Sequence, residues 1–129
     1  MKKQNIAEVF ENGAMLFPTH ELEAKDAPWY QHPEWKGVFL KDLVLGNDTG
    51  DAFSYHLVRV QGGCEVGDHV HSDQWEWNAI LRGSGVFVFD EKEIPFQPGY
   101  TFATPPGVRH MVSAGSEELM LLAVFIPRG

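Results

Sequence analysis

The sequence predicts an all-β fold, a barrel or sandwich of short strands, preceded by a short helix and an extended arm. Runs rich in Val, Ile, Phe, Tyr and Trp recur from Val38 to the C-terminus. Clusters of Gly, Pro, Asn and Asp punctuate them, and no stretch between them carries a helical period. A βαβ unit has no room, which argues against a parallel-sheet nucleotide binder.

Each element has its own reason. Residues 5–12 read as a helix: Asn5 can cap it, Glu8 follows three positions later as in a capping box, and Gly13 stops it. Ile6, Val9 and Phe10 fall on one predicted face. Pro18, Pro28 and Pro33, mixed with Trp29, Tyr30 and Trp35, make 18–37 read as an extended arm packed over something, not a regular element. The predicted strands are Val38–Leu45, Phe53–Val60, Gln74–Leu81, Val86–Phe89, Tyr100–Ala103 and Leu119–Ile126. Between them lie Gly46-Asn47-Asp48, Gly62-Gly63, Gly83-Ser84-Gly85, Gln97-Pro98-Gly99 and Pro105-Pro106-Gly107. A chain of 129 residues is one domain. Residues 38–129 are expected to form the barrel, and 1–37 to pack on it or on a dimer partner.

Composition excludes several classes. Ten Lys and Arg against 18 Asp and Glu give a formal charge of −8. No basic stripe exists to displace counterions from nucleic acid. Leu119–Ile126, the longest apolar run, falls far short of the roughly 20 residues of a membrane span. Cys64 is the single cysteine, so no internal disulfide forms, which fits a reducing cytoplasm. It reads as a small buried side chain, the less favoured alternative being a thiolate near a metal.

Three of the six histidines sit in an informative arrangement. His69 and His71, one residue apart, project from the same face if they lie on a strand. Glu76 follows on the next run, expected to be the hairpin partner. Alternation there places Glu76, Asn78 and Ile80 on one face and Trp75 and Trp77 on the other. His110 begins a further strand after Pro105-Pro106-Gly107. Three imidazoles and a carboxylate converging inside a small barrel suit one divalent transition metal: Mn, Fe, Ni, Cu or Zn. His20, His32 and His56 have no such company and read as surface or hydrogen-bonded residues.

These residues resemble the cupin superfamily. Its first motif is met by Gly63, His69-Val70-His71, Glu76 and Gly83, and its second by Gly99, Pro105-Pro106-Gly107 and His110. At ordinary frequencies of Gly and Pro, four glycines and one proline fall in register by chance about once in a million. The family often carries an asparagine four positions after the last histidine. Ala114 stands there, but that asparagine is not a ligand. The resemblance spans roughly 38–127. It implies an antiparallel jelly-roll barrel with a metal held by His69, His71, Glu76 and His110, and a homodimer with the N-terminal segment at the interface.

Two functional readings follow from the intact ligand set, which argues against a third, a storage-type or purely structural role. One is an enzyme of dioxygenase, isomerase or lyase type, acting at the metal on a small oxygen-rich or anionic metabolite. Tyr55, His56, Arg59, Asn78 and Arg109 are its polar candidates for acid, base or anion clamp, although alternation turns Arg109 away from the site. The other is a non-catalytic sensor. Trp35-x-Gly-Val-x-x-Lys-x-Leu resembles the stretch before the cupin domain of some anti-sigma factors, but the zinc-binding segment of those proteins has no counterpart here.

Overall fold

The computed structural model describes residues 5–127. Helix α1 spans Ile6–Glu11, and the Asn5 side chain accepts from the Glu8 N–H at 2.9 Å. The cap is as expected, but the face is not. Ala7 is the buried residue, with Phe10 partly buried beside it, while Ile6 and Val9 are exposed. The small side chain lets the helix lie close on the sheet.

The arm is more regular than its prolines suggest. Strands β1 (Ala14–Leu16) and β2 (Glu21–Glu23) pair as a hairpin, and a 3-10 turn covers Ala24–Asp26. Strand β3 (Trp29–Gln31) then joins the edge of the main sheet beside β4 (Val38–Val44). Pro28 and Pro33 flank β3 without interrupting its ladder, and an edge strand needs donors on one side only. Lys41, itself buried, donates from Nζ to the Ala27 carbonyl, and the Arg59 guanidinium lies 4.6 Å from the Trp29 ring centre. The aromatic surface of Trp29 is thus spent within the chain.

The remaining strands are β5 (Ser54–Val60), β6 (Glu65–His69), β7 (Trp75–Arg82), β8 (Gly85–Phe89), β9 (Lys92–Phe96), β10 (Thr101–Thr104), β11 (His110–Ala114) and β12 (Leu119–Ile126). A single helical turn at Gly46–Thr49, closed by Gly50 in the left-handed region, links β4 to β5. The main sheet runs β10-β7-β12-β5-β4-β3 and the smaller one β6-β11-β8-β9, with every pairing antiparallel. The fold is the jelly-roll all-β class that the sequence predicts. Strand β9 escaped prediction, and β6 was expected only around His69 and His71, because Glu65, Gly67, Asp68, Lys92 and Glu93 dilute their apolar pattern.

Two cores explain the apolar runs. Val58, Val60, Ile80, Leu119 and Leu121 of the main sheet face Phe87, Phe96 and Val112 across the barrel interior. Leu43, Leu57 and Met120 point the other way and bury Ala7 and Ala24 of the helix and arm. Strand β12 sits between β5 and β7 and is covered on both faces, so it reads as a continuous apolar run without alternation.

A polar chain ties the arm to the barrel. The Tyr30 hydroxyl donates to Asp42 at 2.9 Å, and His56 Nδ1 lies 2.8 Å from Asp42 Oδ1, with Ser54 Oγ 2.9 Å from His56 Nε2. Burial, reinforced by the bond to Asp42, pushes the Tyr30 phenol up to about 12. The hydrogen bond from His56 holds Asp42 below its ordinary 3.8, against burial and with help from Tyr30. A carboxyl depressed on folding contributes stability above its unfolded pKa and loses it as pH falls through the folded value. Asp42→Asn should therefore lower the urea midpoint at neutral pH, and the gap to the parent should close as pH falls below 3.8. A gap independent of pH would contradict this account of the pair.

Candidate metal centre

The four predicted residues meet, and both sheets are needed to bring them together. His69 ends β6 and is the direct cross-strand partner of His110 on β11, so two imidazoles rise side by side from the smaller sheet. Their ring centres are 4.2 Å apart. Glu76 enters from β7 of the main sheet, so it is not on a hairpin partner of the His69 strand as expected; β6 pairs with β11, and β7 with β10 and β12. His71 also departs from expectation, lying beyond the end of β6 in the turn. Its carbonyl accepts from the Gly107 N–H at 2.7 Å, which anchors the His71 turn to the Pro105-Pro106-Gly107 turn before His110. The bond fixes the backbone of the second histidine, and contacts with Glu76 and Phe125 orient its ring.

One ligand atom from each of His69, His71, Glu76 and His110 lies within 4.8 Å of the others. Glu76 Oε1 is 3.0 Å from His71 Nε2, 3.1 Å from His110 Nε2 and 3.9 Å from His69 Nε2. Its Oε2 accepts from Asn78 Nδ2 at 3.0 Å. His69 Nδ1 lies 2.7 Å from the Gly67 carbonyl and His110 Nδ1 3.0 Å from the Val108 carbonyl. Those carbonyls can only accept, so each Nδ1 carries a proton and each Nε2 turns to the carboxylate. Acceptors then face both nitrogens of His110, and a positive charge must sit between ring and carboxylate. A divalent ion coordinated by Nε2 and Oε1 meets that demand with the rings in the tautomer that ligation needs. The residues fit the group.

The electrostatics agree. Burial alone would raise the Glu76 pKa, but the bonds from His110, His69, His71 and Asn78 together hold it well below the usual carboxylate range. His69 is moved up: burial pulls it down, and the Glu76 carboxylate 3.9 Å away together with the bond to the Gly67 carbonyl outweighs that. His32 goes the other way, lowered mainly by burial.

A cavity of about 330 Å³ opens beside the cluster. Of the polar candidates only Asn78 lines it. Tyr55 lies with the outer core, His56 is held by Asp42 and Ser54, and Arg59 is occupied with Trp29, Phe39 and Glu118. Arg109 is exposed and paired with Asp68 at 3.0 Å, turned away as alternation predicts. Cys64 packs against the inner core and stands outside the cluster.

Sequence reasoning missed His32, Glu34 and Trp35, which the arm places on the cavity wall. The Trp35 ring stacks on His32 at 4.3 Å and tilts against His69 at 5.2 Å. Gly67 is what admits it, since a Cβ there would lie 2.6 Å from the indole nitrogen. The nearest signal was Trp35 itself, an aromatic among prolines.

Comparison with known proteins places the chain in a family. A model of the cupin domain matches residues 56–125, and the chain belongs to that family. An oxalate-binding protein of Thermotoga maritima is 34% identical over 70 residues, which cover 54% of this chain and 58% of that one. This chain thus spans a little over half the length of that curated relative. The crystal structure of a predicted oxalate decarboxylase, also from Thermotoga maritima, superposes with a TM-score of 0.73 at 26% identity, covering 80% of this chain and 95% of that one. An RmlC-like cupin from Shewanella frigidimarina gives 0.69 at 16% identity over 80% and 86% of the two chains, a likeness of fold.

Gly67→Ala should drive Trp35 off the wall, with a red-shifted tryptophan emission and a changed near-ultraviolet circular dichroism spectrum but an unchanged far-ultraviolet one. Unaltered tryptophan signals would show that the indole does not rest on Gly67.

Proposed function

We propose that His69, His71, Glu76 and His110 hold one divalent transition metal ion per chain, and that the protein acts there on a small oxygen-rich or anionic metabolite. The observation that carries this is the facing of imidazole Nε2 atoms onto one buried carboxylate oxygen beside an open cavity. A bound ion of Mn, Fe, Ni, Cu or Zn would supply Lewis acidity toward an oxygen ligand, or, as Fe or Mn, a place for dioxygen.

The chain's own residues do the rest. Gly67 and Val108 fix the tautomers of His69 and His110 through Nδ1. Asn78 grips Glu76 Oε2, which leaves Oε1 turned to the imidazoles. With a divalent ion, three neutral imidazoles and one carboxylate, the site carries a net charge of +1 and attracts an anion despite the acidity of the chain. Oxalate binding by the Thermotoga relative supports a ligand of chelating oxygens.

The enzyme reading, of dioxygenase, isomerase or lyase type, rests on that complete donor set and open cavity. A sensor reading keeps a specific support: four of the five polar candidates lie away from the cavity, which leaves His32, Glu34 and Asn78 as the polar lining outside the cluster. Oxygen uptake and product analysis with hydroxy and keto acids separate the two.

A homodimer in a cytoplasmic setting belongs to the same proposal. Its support lies less in the arm, whose Trp29 and Trp35 are half-buried within the chain, than in the exposed Trp75, Trp77 and Tyr100.

His71→Ala and Glu76→Gln should each lower bound metal, measured by elemental analysis after dialysis, from about one ion per chain to a small fraction of that, since a lost ligand or partner typically costs 10–100-fold or more in affinity. His20→Ala should bind as the parent does. Equal stoichiometry in all four proteins would refute the assignment.

A further inference from the structure

We infer that the cavity selects a chelating monoanion with an apolar body, such as a 2-hydroxy or 2-oxo acid bearing an aromatic or branched aliphatic group, over oxalate or a phosphorylated sugar. This rests on the metal-centre reading above and goes further by naming the ligand class.

Size is the first ground. At roughly 30 Å³ per water molecule, a volume of about 330 Å³ holds the equivalent of about eleven waters. A two-carbon dianion would leave most of it unfilled. Lining is the second. Beyond the metal cluster the walls are mostly apolar, with Val58, Val66, Val112, Leu121, Ala123 and Phe125 drawn from both sheets and His32, Glu34 and Asn78 as the polar exceptions. A sugar carries more hydroxyls than these can serve, and each one left without a partner would cost about 1–3 kcal/mol. An alkyl or aryl body would instead gain from the same burial.

Charge is the third ground. No Lys or Arg lines the cavity among the described residues. Arg59 and Arg82 are engaged with Glu118, Arg109 with Asp68 and Lys41 with the Ala27 carbonyl, while Lys36, next to Trp35 in sequence, is exposed and not part of the wall. The loaded centre carries a single net positive charge, enough for one carboxylate. Oxalate would place both carboxylates on the ion and leave one negative charge unbalanced, and a phosphate beyond the chelating oxygens would meet apolar walls and, on the arm side, the Glu34 carboxylate. The aromatic faces supply the fourth ground. Trp35 on the arm and Phe125, whose ring lies 5.1 Å from His71, are both on the cavity wall and suit a planar body.

The test is titration calorimetry on the full chain loaded with Zn²⁺, metal content being measured on the same sample. The ligands are oxalate, lactate, 3-phenyllactate, 4-methyl-2-oxopentanoate and ribose 5-phosphate. Phenyllactate should bind about 30-fold more tightly than lactate, the gain from burying one ring, and also more tightly than oxalate or the sugar phosphate. Trp35→Ala should cut the phenyllactate advantage by about fivefold. If the sample holds zinc but oxalate or ribose 5-phosphate binds best, or if phenyllactate and lactate bind alike, this inference falls and the metal centre stands. If no zinc is retained, both fall.

Discussion

The structure is organised around one buried carboxylate. Glu76 is 8% exposed, at the meeting of two sheets. An ion taken that far from water costs several kcal/mol even after the surroundings relax. A hydrogen bond to a charged group returns about 1.5–3 kcal/mol, so one bond does not suffice and three or four do. Asn78 provides one from the same strand, while His71 and His110 come from the turn and sheet opposite. The two sheets must therefore close on each other for Glu76 to be tolerated at all, and the cluster that results has the donor set to hold a cation.

The inner core is built to permit that closure. Phe87 lies behind His110 and stacks on Phe102 at 4.3 Å, Phe96 meets Phe102 edge-on, and the three rings pack that side of the cluster with apolar surface. The cavity is the opposite flank, where Trp35 comes from the arm instead of from a barrel strand. The arm thus both seals the outer face of the main sheet and finishes the cavity wall. Lys41, Arg59 and the Tyr30–Asp42–His56 chain hold it in place.

The cluster of three histidines and a glutamate was legible in the sequence because its residues are fixed by short local spacings. His69-x-His71, the alternation around Glu76 and the Pro-Pro-Gly turn before His110 each constrain a side chain within a few residues. What was illegible depended on distant pairing. Glu76 was expected beside His69 on a hairpin, yet the turn at Ser72-Asp73 carries the chain across to the other sheet. The buried face of α1 was misjudged because apolar size pointed to Ile6 and Val9, whereas close approach to the sheet selected Ala7. The arm's role at the cavity hinges on the missing side chain of Gly67, two strands and a turn away from Trp35.

The central claim is that these four side chains hold a metal, and anomalous diffraction addresses it most directly. Crystals of the protein grown with Mn²⁺ or Zn²⁺ should show one anomalous peak per chain at the metal's absorption edge, about 2.0–2.3 Å from Nε2 of His69, His71 and His110 and from an oxygen of Glu76. A fully loaded crystal with no peak there, or with its peak on other residues, would contradict the account.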